Sequence, residues 1–218
     1  MESNHRHTLE ELLFKPFIFI AGGKALLTGV IILIVSGAVC YFSNCHFDGL
    51  LDFHFGSINK SPLWIYLCEG LINWSVIALL ITVSARLITR SRYRVVDVFG
   101  TLALARAPYL ITVLITLLPG AGRYAQYIGL KVFNTPVSIT PAPFDVYVFY
   151  TVTITGLVMT IWSVLLMYRA FSISCNSKGK KAVFYFIIIV LFSEVLSKLA
   201  IVAIAHFAGG SGTLKGFA

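Results

Sequence analysis

Hydrophobic positions in this chain gather into five long runs, at about 25–42, 63–87, 95–118, 144–168 and 182–207, separated by short stretches rich in polar and turn residues. About 20 apolar residues at about 1.5 Å of rise each cover the roughly 30 Å hydrocarbon core of a bilayer. The pattern predicts an all-α fold, a polytopic membrane bundle of five transmembrane helices. Ahead of the first run, TLEELLF places Thr8 and Glu11 at capping-box spacing, and Leu9, Leu12, Leu13, Phe14 and Phe17 supply an apolar side before Pro16 ends it. That segment predicts a short N-terminal interfacial helix. The resulting plan is a cytoplasmic tail with interfacial helix over 1–24, a transmembrane domain over 25–207, and a Gly-rich flexible tail over 208–218.

The third run, VVDVFGTLALARAPYLITVLITLL, contains Asp97, Arg106 and Pro108. A charge near the middle of a bilayer is unfavourable by at least ~2.5 kcal/mol, so Arg106 is expected to face the protein interior. Pro108 has no N–H for the Leu104 carbonyl, which predicts a kink beside that arginine. Glu69 lies roughly 9 Å into the second run by helical rise, with Asn73 one turn further on the same side. Glu194 and Lys198 are four apart in the fifth, acid first, the favoured order for an intrahelical pair. The depths overlap. The expectation is therefore a network in which Glu69, Arg106, Glu194 and Lys198, flanked by Asn73, meet inside the bundle as two acids and two bases. It would either hold the spans together or form a polar site for an ion, a proton or a lipid headgroup. Asp97, on the far side of its helix from Arg106, suits a helix N-terminus near Arg90, Arg92 and Arg94.

The connection from Ser43 to Pro62 contains HFDGLLDFH, with His46, Asp48, Asp52 and His54. These are metal-ligating residue types, but on a helix histidines eight apart stand about 80° from each other, an indifferent arrangement for sharing an ion. No metal and no cofactor is expected. The segment reads as an interfacial turn, bent at Gly49 and Gly56, with Phe47, Phe53 and Phe55 at headgroup depth. RYAQYIGLKVF, from Arg123 to Phe133, predicts a short surface helix with Tyr124 and Tyr127 in the aromatic belt. Gly29, Ser36 and Gly37 give the first run small positions for close packing. Cys45 and Cys68 could face the same outer space and pair as a disulfide, but since both flank or enter lipid, unpaired thiols are the expectation.

Composition narrows the class. A chain that is 58% hydrophobic and 12% charged, with mean hydropathy +0.87, is a protein whose main partner is the lipid bilayer. The net charge of +8 points to topology and not to nucleic acid, because the basic residues flank apolar runs. Eleven of the 17 Lys and Arg fall on one side of the alternating loops and four on the other, which predicts a cytoplasmic N-terminus and a C-terminus outside. HExxH, GxSxG, CxxC and paired aspartates within runs are all missing from the sequence. No catalytic residue is therefore nominated, and a non-enzymatic protein is expected.

DVFGTLALARAPYL, with Asp97, Gly100, Arg106, Pro108 and Tyr109, resembles the signature of the Yip (Ypt/Rab-interacting protein) family of five-span membrane proteins, in its prokaryotic form. The segment from Trp162 to Leu199 is similar to that family's penultimate span, basic loop and last span. The resemblance implies a non-enzymatic multi-pass protein that organises membrane or membrane-protein assembly, with Rab-type GTPases as partners of eukaryotic members. Here the N-terminal region is reduced to about 24 residues, which argues against a GTPase partner and suits the inner membrane of a bacterium. The other class of function is a small transporter, channel or lipid-moving protein that uses the intramembrane charges, with a homo-oligomer able to supply a path.

Overall fold

The computed structural model describes residues 13–56, 60–88, 93–134 and 138–209. The capping box at Thr8 and Glu11 lies outside them; residues 13 and 14 are helical, and a 3₁₀ turn at Pro16–Ile18 follows, burying Phe17. The chain then runs α1 (Gly22–Ser43), a hairpin of β1 (Cys45–His46) and β2 (His54–Phe55), α2 (Leu63–Ile88), α3 (Val95–Leu104), α4 (Pro108–Ile115), α5 (Ala121–Val132), α6 (Pro143–Ser174) and α7 (Lys180–Gly209). Among the described residues, five segments are long and apolar enough to cross a membrane, with α3 and α4 together forming the third.

The outward faces of the spans are large and apolar, while the small and polar residues are concentrated among those turned inward. In α1, Ala25, Gly29, Leu33, Ser36, Gly37 and Cys40 are buried while Leu27, Ile31, Ile34 and Val35 are exposed. In α7, Ser193, Ser197 and Ile201 are buried, and Leu191, Phe192, Val195 and Leu199 face out. Both sets repeat at helical spacing. Such a surface is stable only where the surroundings are apolar, so the folded chain is a multi-pass membrane protein.

The third span sits at the centre. Its most apolar window is 67% buried, against 33% or less for the other four. At the expected kink the α-helical ladder gives way to a tighter turn: the Arg106 amide donates to the Ala103 carbonyl at 3.2 Å and the Ala107 amide to the Leu104 carbonyl at 3.0 Å, both three residues back. Pro108, the first residue of α4, has no N–H to continue the helical ladder. The small positions of α1 pack as expected. A Cβ on Gly29 would collide with Ala103, and one on Gly100 would lie 2.7 Å from the Gly22 carbonyl oxygen and 2.8 Å from the Leu26 nitrogen. Asp97 sits in the first turn of α3, its carboxylate turned toward Gly22 at the start of α1, where two helix N-termini favour negative charge. It makes no ion pair among the described residues, and Arg90 and Arg92 lie outside them.

α6 extends to Ser174, beyond the expected end near 168, because Ala170 and Phe171 are buried against the start of α7, with the Phe171 ring stacked 5.9 Å from that of Phe186. α5 forms within one or two residues of its expected bounds. Cys45 and Cys68 form no disulfide.

Candidate functional site

The connection between α1 and α2 is not an interfacial turn. It enters the bundle. Asn44, at φ 54°, caps α1 in the left-handed conformation, and β1 pairs antiparallel with β2, Cys45 opposite Phe55 and His46 opposite His54. The residues between the strands dip toward the centre, leaving Leu50 fully buried and Phe47 5% exposed. By helical rise, Arg106, which contacts this loop, lies roughly 14 Å inside the end of its span. Irregular backbone at such depth is tolerated only where its polar groups find protein partners, since lipid offers none.

The polar residues of the spans supply those partners. Glu69 accepts the Phe47 amide at 2.9 Å, and Asn73 donates to the Phe47 carbonyl at 2.6 Å. The Leu50 carbonyl accepts from the Arg106 guanidinium and from the Tyr109 hydroxyl, each at 3.3 Å. Glu194 accepts the Leu51 amide at 2.7 Å. Among the described residues, no carboxylate lies within 4 Å of the Arg106 guanidinium.

This corrects the expected cluster of two acids and two bases. Glu69 takes His46 as its partner at 2.6 Å. Lys198 is 3.6 Å from Glu194 but 2.5 Å from Asp52, a residue of the expected interfacial turn. Among the described residues, the Arg106 guanidinium donates to the Leu50 carbonyl and to no carboxylate, and packs 4.9 Å from the Tyr109 ring centroid and 5.9 Å from that of Phe47. The loop between α1 and α2 occupies the space in which these side chains were expected to meet, so they reach its backbone in place of one another. Of the residues in the third-span motif, Gly100 allows α1 to approach, Pro108 breaks the helix, and Arg106 and Tyr109 hold the loop.

Two glycines permit this placement. A Cβ on Gly49 would overlap the Glu194 carboxylate, and one on Gly56 would lie 2.8 Å from the Asn44 side-chain oxygen. Aromatic contacts fill the remainder. The His46 ring stacks 4.4 Å from Tyr66 and 5.7 Å from His54, and Phe47 meets Tyr109 edge-on at 5.1 Å.

Above the buried section lies a second, half-exposed group. His54 Nδ1 is 3.3 Å from Asp48 Oδ1, and Asp52 and Lys198 are adjacent. Burial pushes the Asp48 carboxyl up, but His54 and, less strongly, Lys198 outweigh it and leave Asp48 below the usual carboxylate range. His54 responds in the opposite sense: burial lowers it, and Asp48, then Asp52, raise it overall. Cys45, sealed in the hairpin, has its thiol pushed up to about 12 by burial.

No protein-family model, curated protein or solved structure matches this chain. Its chemistry must be read from its own side chains.

Beside Arg106, Leu33, Ser36, Gly37, Tyr66 and Gly70 surround a cavity of about 10 Å³, room for about one water molecule. Three further buried polar atoms, Asn73 Oδ1, Thr112 Oγ1 and Ser197 Oγ, have no hydrogen-bond partner among the described residues. Near the same end of the bundle, Arg123 of α5 forks onto buried Asp145 at 2.6 and 3.1 Å and ties the surface helix to the start of α6. The sequence gives no sign of that pair, since the partners are 22 residues apart across a proline-rich connection.

Proposed function

We propose that this chain is a non-enzymatic membrane protein that organises membrane or membrane-protein assembly, as the Yip-type resemblance implies. It resides in the cell membrane of a bacterium, with its N-terminus cytoplasmic and its C-terminus and hairpin outside. The supporting observation is the use to which the intramembrane polar side chains are put. Glu69, Asn73, Arg106, Tyr109 and Glu194 each hold a backbone group of the loop between α1 and α2. Moving that loop would leave those groups unpaired together, at about 1–3 kcal/mol for each. A bundle locked in this way favours a fixed scaffold over a carrier that opens and closes on each cycle.

The second reading, a small transporter, channel or lipid-moving protein, draws on the interrupted third span, the cavity beside Arg106 and the unpartnered buried polar atoms elsewhere in the bundle. Interrupted helices at membrane depth are a common feature of transporter binding sites. Reconstitution of the purified chain into liposomes distinguishes the two. The scaffold reading expects proton, anion and lipid-flip rates equal to those of empty vesicles, and crosslinking in cells that recovers fixed membrane-protein neighbours. A flux above that of empty vesicles that is abolished by Glu194→Ala would overturn it.

A further inference from the structure

The hairpin brings into one place donor atoms that the linear spacing keeps apart. One donor atom from each of Asp48, Asp52 and His54 lies within 4.8 Å of the other two. Asp48 Oδ1 is buried and accepts no hydrogen bond among the described residues, although His54 Nδ1 is only 3.3 Å away. That spacing fits two ligands of one ion, and binding would draw the third donor in from its wider separation. Atoms bound at about 2.0–2.1 Å with a tetrahedral angle between them stand about 3.3 Å apart.

Charge points the same way. Asp48, Asp52 and Glu194 face the ammonium of Lys198, with the Arg106 guanidinium across one peptide group from Glu194, so with a neutral imidazole the group carries one negative charge in excess. Lys198 covers one oxygen of Asp52 and is 42% exposed, able to turn away. Two carboxylates and an imidazole suit a first-row transition ion better than the all-oxygen preference of calcium or magnesium.

We infer that Asp48, Asp52 and His54 form a binding site for a divalent transition-metal ion, of the Zn²⁺ or Mn²⁺ class, at the hairpin end of the bundle. The ion takes the charge-balancing place that Lys198 fills in part, and three protein ligands leave it at least one position for water or for a donor group from a partner. The site goes beyond the scaffold reading and stands with either function.

The test uses the full chain in detergent, treated with chelator and then titrated with Zn²⁺ or Mn²⁺ by calorimetry, in a His5→Ala/His7→Ala background that removes the histidines near the N-terminus. One ion per chain is expected. Asp48→Asn and His54→Ala should each weaken binding at least tenfold, while circular dichroism and size exclusion report whether each variant folds. Lys198→Gln, which removes the competing ammonium, should tighten binding at least threefold. Failure to bind saturably, binding unchanged by His54→Ala, or binding that Lys198→Gln fails to tighten overturns the site and leaves an ordinary ion-pair cluster. The liposome assays are unaffected by that result, so failure here does not count against the scaffold reading.

Discussion

Arg106 and Glu194 grip opposite ends of one peptide group. The guanidinium donates to the Leu50 carbonyl and the carboxylate accepts the Leu51 amide, the two halves of a single peptide bond. A cation at the oxygen end and an anion at the hydrogen end both lower the energy of that dipole, and inside a protein such hydrogen bonds are stronger than in water. Two charges from different spans thus act together without touching.

Truncation of Glu194 tests that arrangement. Glu194→Ala leaves the Leu51 amide without an acceptor at membrane depth, and a loss of about 1–3 kcal/mol in stability is expected. Glu194→Gln keeps an acceptor oxygen and should retain more than half of that. Thermal unfolding in detergent checks the order. Equal losses from the two variants would mean that the charge, and not the hydrogen bond, matters.

The fold was largely legible because a membrane imposes simple rules. The five spans follow from run length, and the break in the third from Pro108, whose missing N–H is a property of one residue. The site was legible only in its membership. Glu69, Asn73, Arg106, Glu194 and Lys198 stand out as polar residues in apolar runs, but their partners are backbone groups, which no side-chain pattern reveals. The available signal was the loop's own composition. Phe47, Leu50, Leu51, Phe53 and Phe55 make HFDGLLDFHF too apolar for a surface turn, and Gly49 falls where another side chain must pass. Helix geometry was also the wrong frame for His46 and His54, since strand pairing sets them opposite each other.

Gly49→Ala should disturb the loop through Glu194. The added methyl group occupies the position of the carboxylate, so Glu194 must turn aside and release the Leu51 amide. A loss similar to that of Glu194→Ala is expected, and the double variant should be no worse than about 0.5 kcal/mol beyond either single one, because the two share a cause. Fully additive losses would show that the glycine matters for another reason.

Gly100→Ala meets backbone in place of a movable side chain. Its Cβ would approach the Gly22 carbonyl and the Leu26 nitrogen, so α1 and α3 must separate, at about 1–3 kcal/mol by the usual cost of overpacking. Gly129→Ala in α5 is the control. Nothing lies within 4 Å of the added methyl there, and helix propensity should add up to about 1 kcal/mol of stability. Unfolding midpoints for the two variants should move in opposite directions.

Cys45 makes the sealing of the hairpin measurable as a function of pH. With the thiol pushed up to about 12 by burial, about one molecule in ten thousand carries the thiolate at pH 8, whereas an unfolded cysteine near 8.5 is substantially ionised. N-ethylmaleimide at pH 8 should therefore leave Cys45 unlabelled until the protein is denatured, as read by mass spectrometry. Because the unfolded chain loses this proton first, stability should fall as pH rises from about 8.5 toward 12, by at most roughly 1.4 kcal/mol per pH unit. Cys45→Ala should flatten that alkaline slope.

Arg106 separates a charge network from a loop clamp by magnitude. If its role were to neutralise acids, Arg106→Leu would strand a buried carboxylate and cost about 3–5 kcal/mol. In this structure Glu69 keeps His46 and Glu194 keeps Lys198 when the guanidinium is gone, and the Leu50 carbonyl still receives the Tyr109 hydroxyl. The leucine variant should therefore lose less than about 3 kcal/mol, the upper net value of a hydrogen bond to a charged group. Tyr109→Phe, which removes a neutral donor, should cost about 0.5–1.5 kcal/mol. The double variant orphans the carbonyl, so its loss should exceed the sum of the two single losses, and a thermal-unfolding cycle that gave simple additivity would show that the two donors serve different partners.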